Sequence, residues 1–320
     1  MKVLVTGASG FIGRALCTSL VMQGFDVVGT VRSLSDALVP GVDYRIVVEC
    51  GASTDWRDTL LGIQVIVHCA ARVHVMRDYA RNPLTEFRRT NTLGTQTLAR
   101  AAVRSGIQRL VFLSSIKVNG ESTLPDAPFD ESSPVNPHDP YAISKWEAEQ
   151  ALTHIAAETG LEVVVLRCPL VYGPGVKGNF LRLLQMTDRG IPLPFALAEN
   201  HRSLIYLGNL TSAIAACLTH PAAAGKTYLL SDGRDVSIAQ LITQMAQTLE
   251  KPVCLWPAPP SLMRLAAGLV RKSAEVDRLF GSLCIDSTKI CGELGWSPTY
   301  TPEQGLVKTV QYFREQDNRT

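Results

Sequence analysis

The chain has 320 residues, 46% of them apolar and 19% charged, with a formal net charge of +2. That length holds one large α/β unit with a smaller lobe, or two ordinary domains. The near-neutral balance excludes a polybasic face for nucleic acid or anionic lipid, and no apolar run reaches the ~20 residues that cross a bilayer.

The chain opens in an apolar strand, "KVLVTG" at 2–7, with no leader pattern ahead of it; a cytoplasmic protein is expected. A helix follows over about 12–23, stopped by Gly24. Strands are predicted at 26–32 and 65–71, a helix at about 83–105 ending at Gly106, and a strand at 109–115, "RLVFLSS". A Pro-, Asp- and Ser-rich loop (121–140) leads to a helix with Asp139 as N-cap and Pro140 at its first position, running to Gly160. A strand is expected over 161–173. Continuous β-branched runs joined by helices predict a doubly wound parallel α/β sheet. The expected division is a dinucleotide-binding Rossmann unit over 1–170, with a return segment near 203–232, and a C-terminal substrate lobe over 171–320. An amphipathic stretch at 261–272 reads as a helix over the cleft. Eight scattered cysteines without a C-x-x-C pair predict reduced thiols and no metal centre.

"TGASGFIG" sets Gly7, Gly10 and Gly13 between the first strand and its helix. Such glycines permit a tight turn, backbone approach to a pyrophosphate, and close helix–strand packing, while the helix N-terminus offers free N–H groups. Ser9, Phe11 and Ile12 belong to the same turn, and Ala70 and Ala71 to the crevice beyond the 65–71 strand. The second strand ends in "VVGTVRS", without the acid that usually meets the ribose 2′-OH of NAD. Arg32 can instead pair with a 2′-phosphate, or be a solvated arginine. NADP(H) is the expected preference and NAD(H) the alternative. "YAISK" places Tyr141 and Lys145 four residues apart on one helix face, after the "SS" that closes the 109–115 strand. A nearby ammonium, together with a positively charged nicotinamide, favours phenolate and suits the tyrosine for proton transfer.

With these motifs the chain resembles the extended short-chain dehydrogenase/reductases, which include nucleotide-sugar epimerases, dehydratases and ketoreductases. The resemblance runs from "VTGASGFIG" to "LGWSPTYTPEQGL". It implies that Ser115, Tyr141 and Lys145 are catalytic, that Ser114 faces the cofactor or the backbone, and that Asn91 lies on the helix beneath the cofactor site. Asn91 has an alternative as an i−4 backbone-bonding polar residue. On the substrate side it implies Asn179 and Arg202 on a diphosphate, Arg278 as a second phosphate contact, and His74 in "AARVHV", which also suits a structural role. Dehydratases carry an acid pair where this chain has Ile116 and Lys117, so dehydration is not expected. Lys117 is left as a substrate contact or a salt-bridge partner.

"AARVHVM" and "SSIKVNGE" most resemble bacterial reductases of a UDP-2-acetamido-2,6-dideoxy-hexos-4-ulose that supply surface polysaccharide. The expected function is therefore NADP(H)-dependent reduction at carbon 4 of a UDP-sugar. The alternatives are a UDP-hexose 4-epimerase with tightly bound NAD, a silent dinucleotide sensor, or a reductase of small apolar ketones. The resemblance also implies a homodimer, formed through the Asn91 and Tyr141 helices, with no nucleic-acid partner and no membrane insertion.

Overall fold

Strand β1 (Lys2–Thr6) is buried along almost its whole length and pairs in parallel with β2 (Asp26–Val31) on one side and β4 (Val65–His68) on the other. A computed structural model describes residues 1–34, 38–73, 82–124, 126–259 and 280–317. Strand β3 (Val42–Ile46) flanks β2, β5 (Arg109–Ser115) flanks β4, and β6 (Glu162–Cys168) flanks β5. Strand β9 (Thr227–Leu229) returns from late in the chain to close the far edge, giving the parallel order β3-β2-β1-β4-β5-β6-β9.

Side chains alternate across this sheet and build a core on each face. Val3, Val5, Val111 and Leu113 pack with Leu16 and Leu20 of helix α1 (Phe11–Met22) and with Leu210 and Ile214 of α6 (Leu207–Thr219). Leu4, Ile66, Leu110 and Phe112 pack the other way, against Leu98 of α3 (Gly94–Arg104) and Leu152 of α4 (Pro140–Thr159).

Three boundaries differ from the sequence expectation. Strand β3 was not anticipated, because "VDYRI" at a sheet edge is half-exposed and lacks an apolar run. The helix expected at 83–105 is interrupted: α2 (Pro83–Phe87) passes through a π-helical turn, Arg88–Leu93, before α3. The strand expected over 161–173 divides at Pro169, which has no N–H for the ladder. Its second part, β7 (Leu170–Tyr172), leaves the main sheet and pairs with β8 (Leu204–Tyr206). Around this small sheet, Tyr172, Phe180, Leu184, Tyr206 and Met245 form a separate core with α5 (Gly178–Asp188) and α7 (Ile238–Leu249). Asp232 binds the two regions: it accepts from Tyr172, Asn209 and the Tyr206 N–H at 2.8–3.0 Å. The 261–272 stretch lies outside the described residues.

Candidate active site

The strand order reverses between β1 and β4, which opens a crevice at their C-terminal ends. The glycine turn fills one wall. Gly7 has φ +67°, and a Cβ there would lie 3.0 Å from the Ala70 backbone. A Cβ on Gly13 would lie 2.2 Å from the Gly7 carbonyl oxygen, so α1 can approach β1 this closely only with glycine. Gly10, the N-cap of α1, supplies no side-chain cap to the first-turn N–H groups. A cradle closed to any Cβ, facing an uncapped helix end, fits a pyrophosphate. Ser9 and Gly10 are exposed at its tip, and Ala70 and Ala71 are half-buried opposite. The Phe11 and Ile12 side chains turn into apolar clusters, which leaves their backbone as the part able to meet a phosphate. Arg32 and Ser33 are exposed directly after β2, whose Thr30 receives the Ala8 N–H at 3.0 Å.

A chain of hydrogen bonds runs beneath the crevice. The Ala70 N–H donates to Thr6 Oγ1 (3.1 Å), which meets His68 Nδ1 at 2.7 Å; His68 Nε2 meets Thr95 Oγ1 at 3.0 Å. Thr95 gives its only hydroxyl proton to the Asn91 carbonyl (2.6 Å). It must therefore accept from Nε2–H, which leaves Nδ1 to accept from Thr6. Burial, with Lys145 nearby, pushes the His68 pKa down to about 3 and keeps this neutral tautomer. The sequence reading passed over His68; its only signal was a polar residue ending an apolar strand.

The Asn91 side chain is buried. It accepts the Arg72 N–H (2.8 Å) and donates to the Arg72 carbonyl (3.0 Å) and to Ser144 Oγ (2.9 Å). The π-helical turn that carries it is a known device at functional sites. Its amide joins the crevice loop to α4 and does not bond back to the carbonyl four residues earlier, as the i−4 alternative expected.

Helix α4 begins as its sequence dictates. Asp139 Oδ1 accepts the Ala142 N–H at 2.7 Å, Pro140 occupies the first turn, and Gly160 ends the helix in the left-handed region at φ +76°. Tyr141 hydrogen-bonds Ser115 at the end of β5. Burial, then the neighbouring Cys168 and Asp139, push the phenol above its usual range, and the Ser115 bond works against that rise. Lys145, one turn on, is buried; its ammonium donates to the Leu113 carbonyl at 2.7 Å and lies 4.4 Å from the Phe112 ring centroid. Burial brings its pKa down to about 8. Burial thus holds the phenol neutral here, and the lowering expected of it depends on a cationic nicotinamide beside the tyrosine as well as on Lys145.

Ser114 and Lys117, which flank Ser115, both meet protein carboxylates. Ser114 points to the opposite face of β5 and donates to the Glu149 carboxylate, away from the cofactor crevice. Glu149 pairs with Arg167 (2.6 Å), and Arg167 donates to Asn119 Oδ1 (3.0 Å). Glu149 and Arg167 escaped the sequence reading, since nothing local joins residues 18 positions apart. Lys117 places its ammonium 2.5 Å from Asp139 Oδ2 and 3.2 Å from Glu121 Oε1, the salt-bridge arrangement among the two left open by the sequence.

On the substrate side, Asn179 is exposed in the first turn of α5. Arg202 pairs its backbone with Val236 and donates from Nη1 to the Gly281 carbonyl at 3.0 Å; burial pushes its guanidinium pKa down. Ser203 is buried, receiving the Ile285 N–H and bonding Asp235 at 2.5 Å. His74 and Arg278 lie outside the described residues.

The sequence profile of the NAD dependent epimerase/dehydratase family matches residues 3–233. The chain belongs to this family. A Vibrio cholerae protein named UDP-glucose 4-epimerase is 42% identical over 99% of this chain and 97% of that protein. A Streptomyces niveus dTDP-glucose 4,6-dehydratase is 30% identical over 100% of this chain and 94% of its own length. Among solved structures, MoeE5 in complex with UDP-glucuronic acid and NAD superposes with a TM-score of 0.80, at 26% identity over 99% of this chain and 100% of that one. The chain is therefore an enzyme of an NAD-dependent family that acts on nucleotide sugars, with a Rossmann-type fold.

Proposed function

We propose that this enzyme transfers hydride at carbon 4 of a UDP-sugar, and that its reaction is 4-epimerisation. The observation that carries this reading is the Ser115–Tyr141 hydroxyl pair beside a crevice suited to a dinucleotide, with Lys145 one turn along α4. Tyr141 takes the proton of the C4 hydroxyl and later returns one, while Ser115 orients that oxygen. Lys145 holds the ribose end of the dinucleotide. When bound, the nicotinamide supplies the hydride acceptor. Gly7, Ser9, Gly10 and Gly13, with the backbone of Phe11 and Ile12, hold the pyrophosphate, and Ala70 and Ala71 flank it. Asn179 and Arg202 serve the substrate diphosphate.

The position after Ser115 favours this reading over dehydration. Ile116 is apolar and buried, and Lys117 is ion-paired, so neither supplies the acid–base pair a dehydratase needs. The 42% relative supports epimerisation. A second reading, NADPH-dependent reduction of a UDP-4-keto-6-deoxy-N-acetylhexosamine for surface polysaccharide, is favoured by the exposed Arg32 where an acid would hold NAD. The proposal includes a homodimer in the cytoplasm, and light scattering checks the mass.

The deciding experiment supplies UDP-glucose without added cofactor. Interconversion with UDP-galactose, together with NAD released on denaturation, supports the epimerase. NADPH oxidation on the 4-keto sugar without such interconversion establishes the reductase in its place. Neither activity would overturn the assignment to carbon 4.

A further inference from the structure

Lys117 touches both halves of the hydroxyl pair's support. Its backbone N–H donates to Ser115 Oγ at 3.3 Å. Its ammonium lies 2.5 Å from Oδ2 of Asp139, a residue 22 positions later. Asp139 is no ordinary surface acid, because its other oxygen caps the helix whose second residue is Tyr141. The Lys117 and Asp139 side chains are 24% and 19% exposed, so solvent screens the pair less than it would at the surface.

We propose that Lys117 is a positioning residue for Tyr141: its ammonium fixes the cap of the Tyr141 helix and cancels the carboxylate charge beside the phenol. This rests on the acid–base role proposed for Tyr141.

The groups around the phenol make the charge effect specific. Ser115 approaches from β5, Cys168 from β6, and Asp139 and Lys145 belong to its own helix. The Phe87 ring meets the Tyr141 ring edge-on at 6.1 Å, with Arg72 over Phe87. Burial holds the Cys168 thiol up near pKa 12, so it is neutral at working pH. Asp139 is then the negative charge among these neighbours, and it opposes phenolate. Glu121 shares the ammonium and also feels the Arg202 guanidinium, so Asp139 is the carboxylate whose charge beside the phenol Lys117 offsets.

The test is kcat against pH, with phenolate absorbance of the holoenzyme taken as the difference from Tyr141→Phe. Lys117→Met is expected to raise the acid limb of kcat and the Tyr141 titration by about one pH unit. Lys117→Arg keeps the charge and holds the limb. Lys117→Met with Asp139→Asn returns it, since asparagine still caps. If Lys117→Met fails to fold, Asp139→Asn alone is expected to lower the limb. A lysine with only a structural role would depress kcat or Tm without moving the limb, and an unmoved limb in Lys117→Met or Asp139→Asn overturns the proposal. Full activity in Tyr141→Phe would instead overturn the acid–base role itself, so the two failures are distinguishable.

Discussion

Ser114 and Ser115 are adjacent, both buried, and end the same strand, yet they sit in opposite environments. Ser114 closes a saturated network in which its hydroxyl, the Arg167 guanidinium and Asn119 satisfy one another around Glu149. Ser115 meets a phenol that burial has made reluctant to ionise. The difference follows from the pleat: neighbours on a strand face opposite sides of the sheet. One side of this strand end is spent on holding α4 in place, and the other is left with a proton to exchange.

The sharpest way to break that contrast is Tyr141→Phe. It should lower kcat by about 10²–10⁴-fold, the usual value of a positioned acid–base group, with little change in Tm. A large loss of Tm would put Tyr141 with the structural side. Ser115→Ala should follow, with a loss of about 10²-fold and a nearly unchanged Tm.

Arg167→Met tests the other side. It strands the Glu149 charge in the interior and should cost about 3–5 kcal/mol of stability, read by denaturant titration. Adding Glu149→Gln should recover much of that loss, because the cost lies in the unpaired charge. Ser114→Ala removes one hydrogen bond to a charged group and should cost about 1.5–3 kcal/mol, with kcat per folded molecule preserved. Equal losses of kcat in Ser114→Ala and Ser115→Ala would dissolve the contrast.

The sequence exposes these two sides unequally. The glycine turn, the Asp139–Pro140 helix start and the Tyr141–Lys145 spacing are local, and local geometry alone sets each of them. The same holds for strands β1 and β5, whose apolar runs demand burial. The Glu149–Arg167 pair depends on β6 lying beside β5, and the Lys117–Asp139 pair on where a 20-residue loop returns. Neither leaves a spacing to read. The same holds for Ser114: "SS" sets Ser115 beside the tyrosine, but that Ser114 meets Glu149 depends on α4 packing on the other face of the strand. The contacts of Asn91 were not legible either, because a π-helical turn carries it and no residue in "RTNTLG" marks that turn.

The smallest expected effect contrasts Lys145 with thiols on the Ser115 side of the sheet. Lys145 has a folded pKa of about 8 against 10.5 unfolded. Between those values the folded chain has released a proton that the unfolded chain keeps, so stability rises with pH. Cys17 and Cys217 run the other way. Burial holds both near pKa 12, against an ordinary 9.0. Above pH 9 the unfolded thiols ionise while the folded ones do not, so their contribution is complete below 9 and is lost as pH climbs toward 12. Burial holds Cys50 and Cys168 near 12 as well and raises Cys69 in the same direction, so the thiols together outweigh the one lysine where the windows overlap, and the apoprotein should be most stable between about pH 8 and 9. Cys17→Ala with Cys217→Ala should make the decline of Tm above pH 9 shallower, whatever packing it loses, whereas Lys145→Met should remove the rise below pH 9. An alkaline decline of unchanged slope in the double variant would mean that these two thiols do not contribute to it.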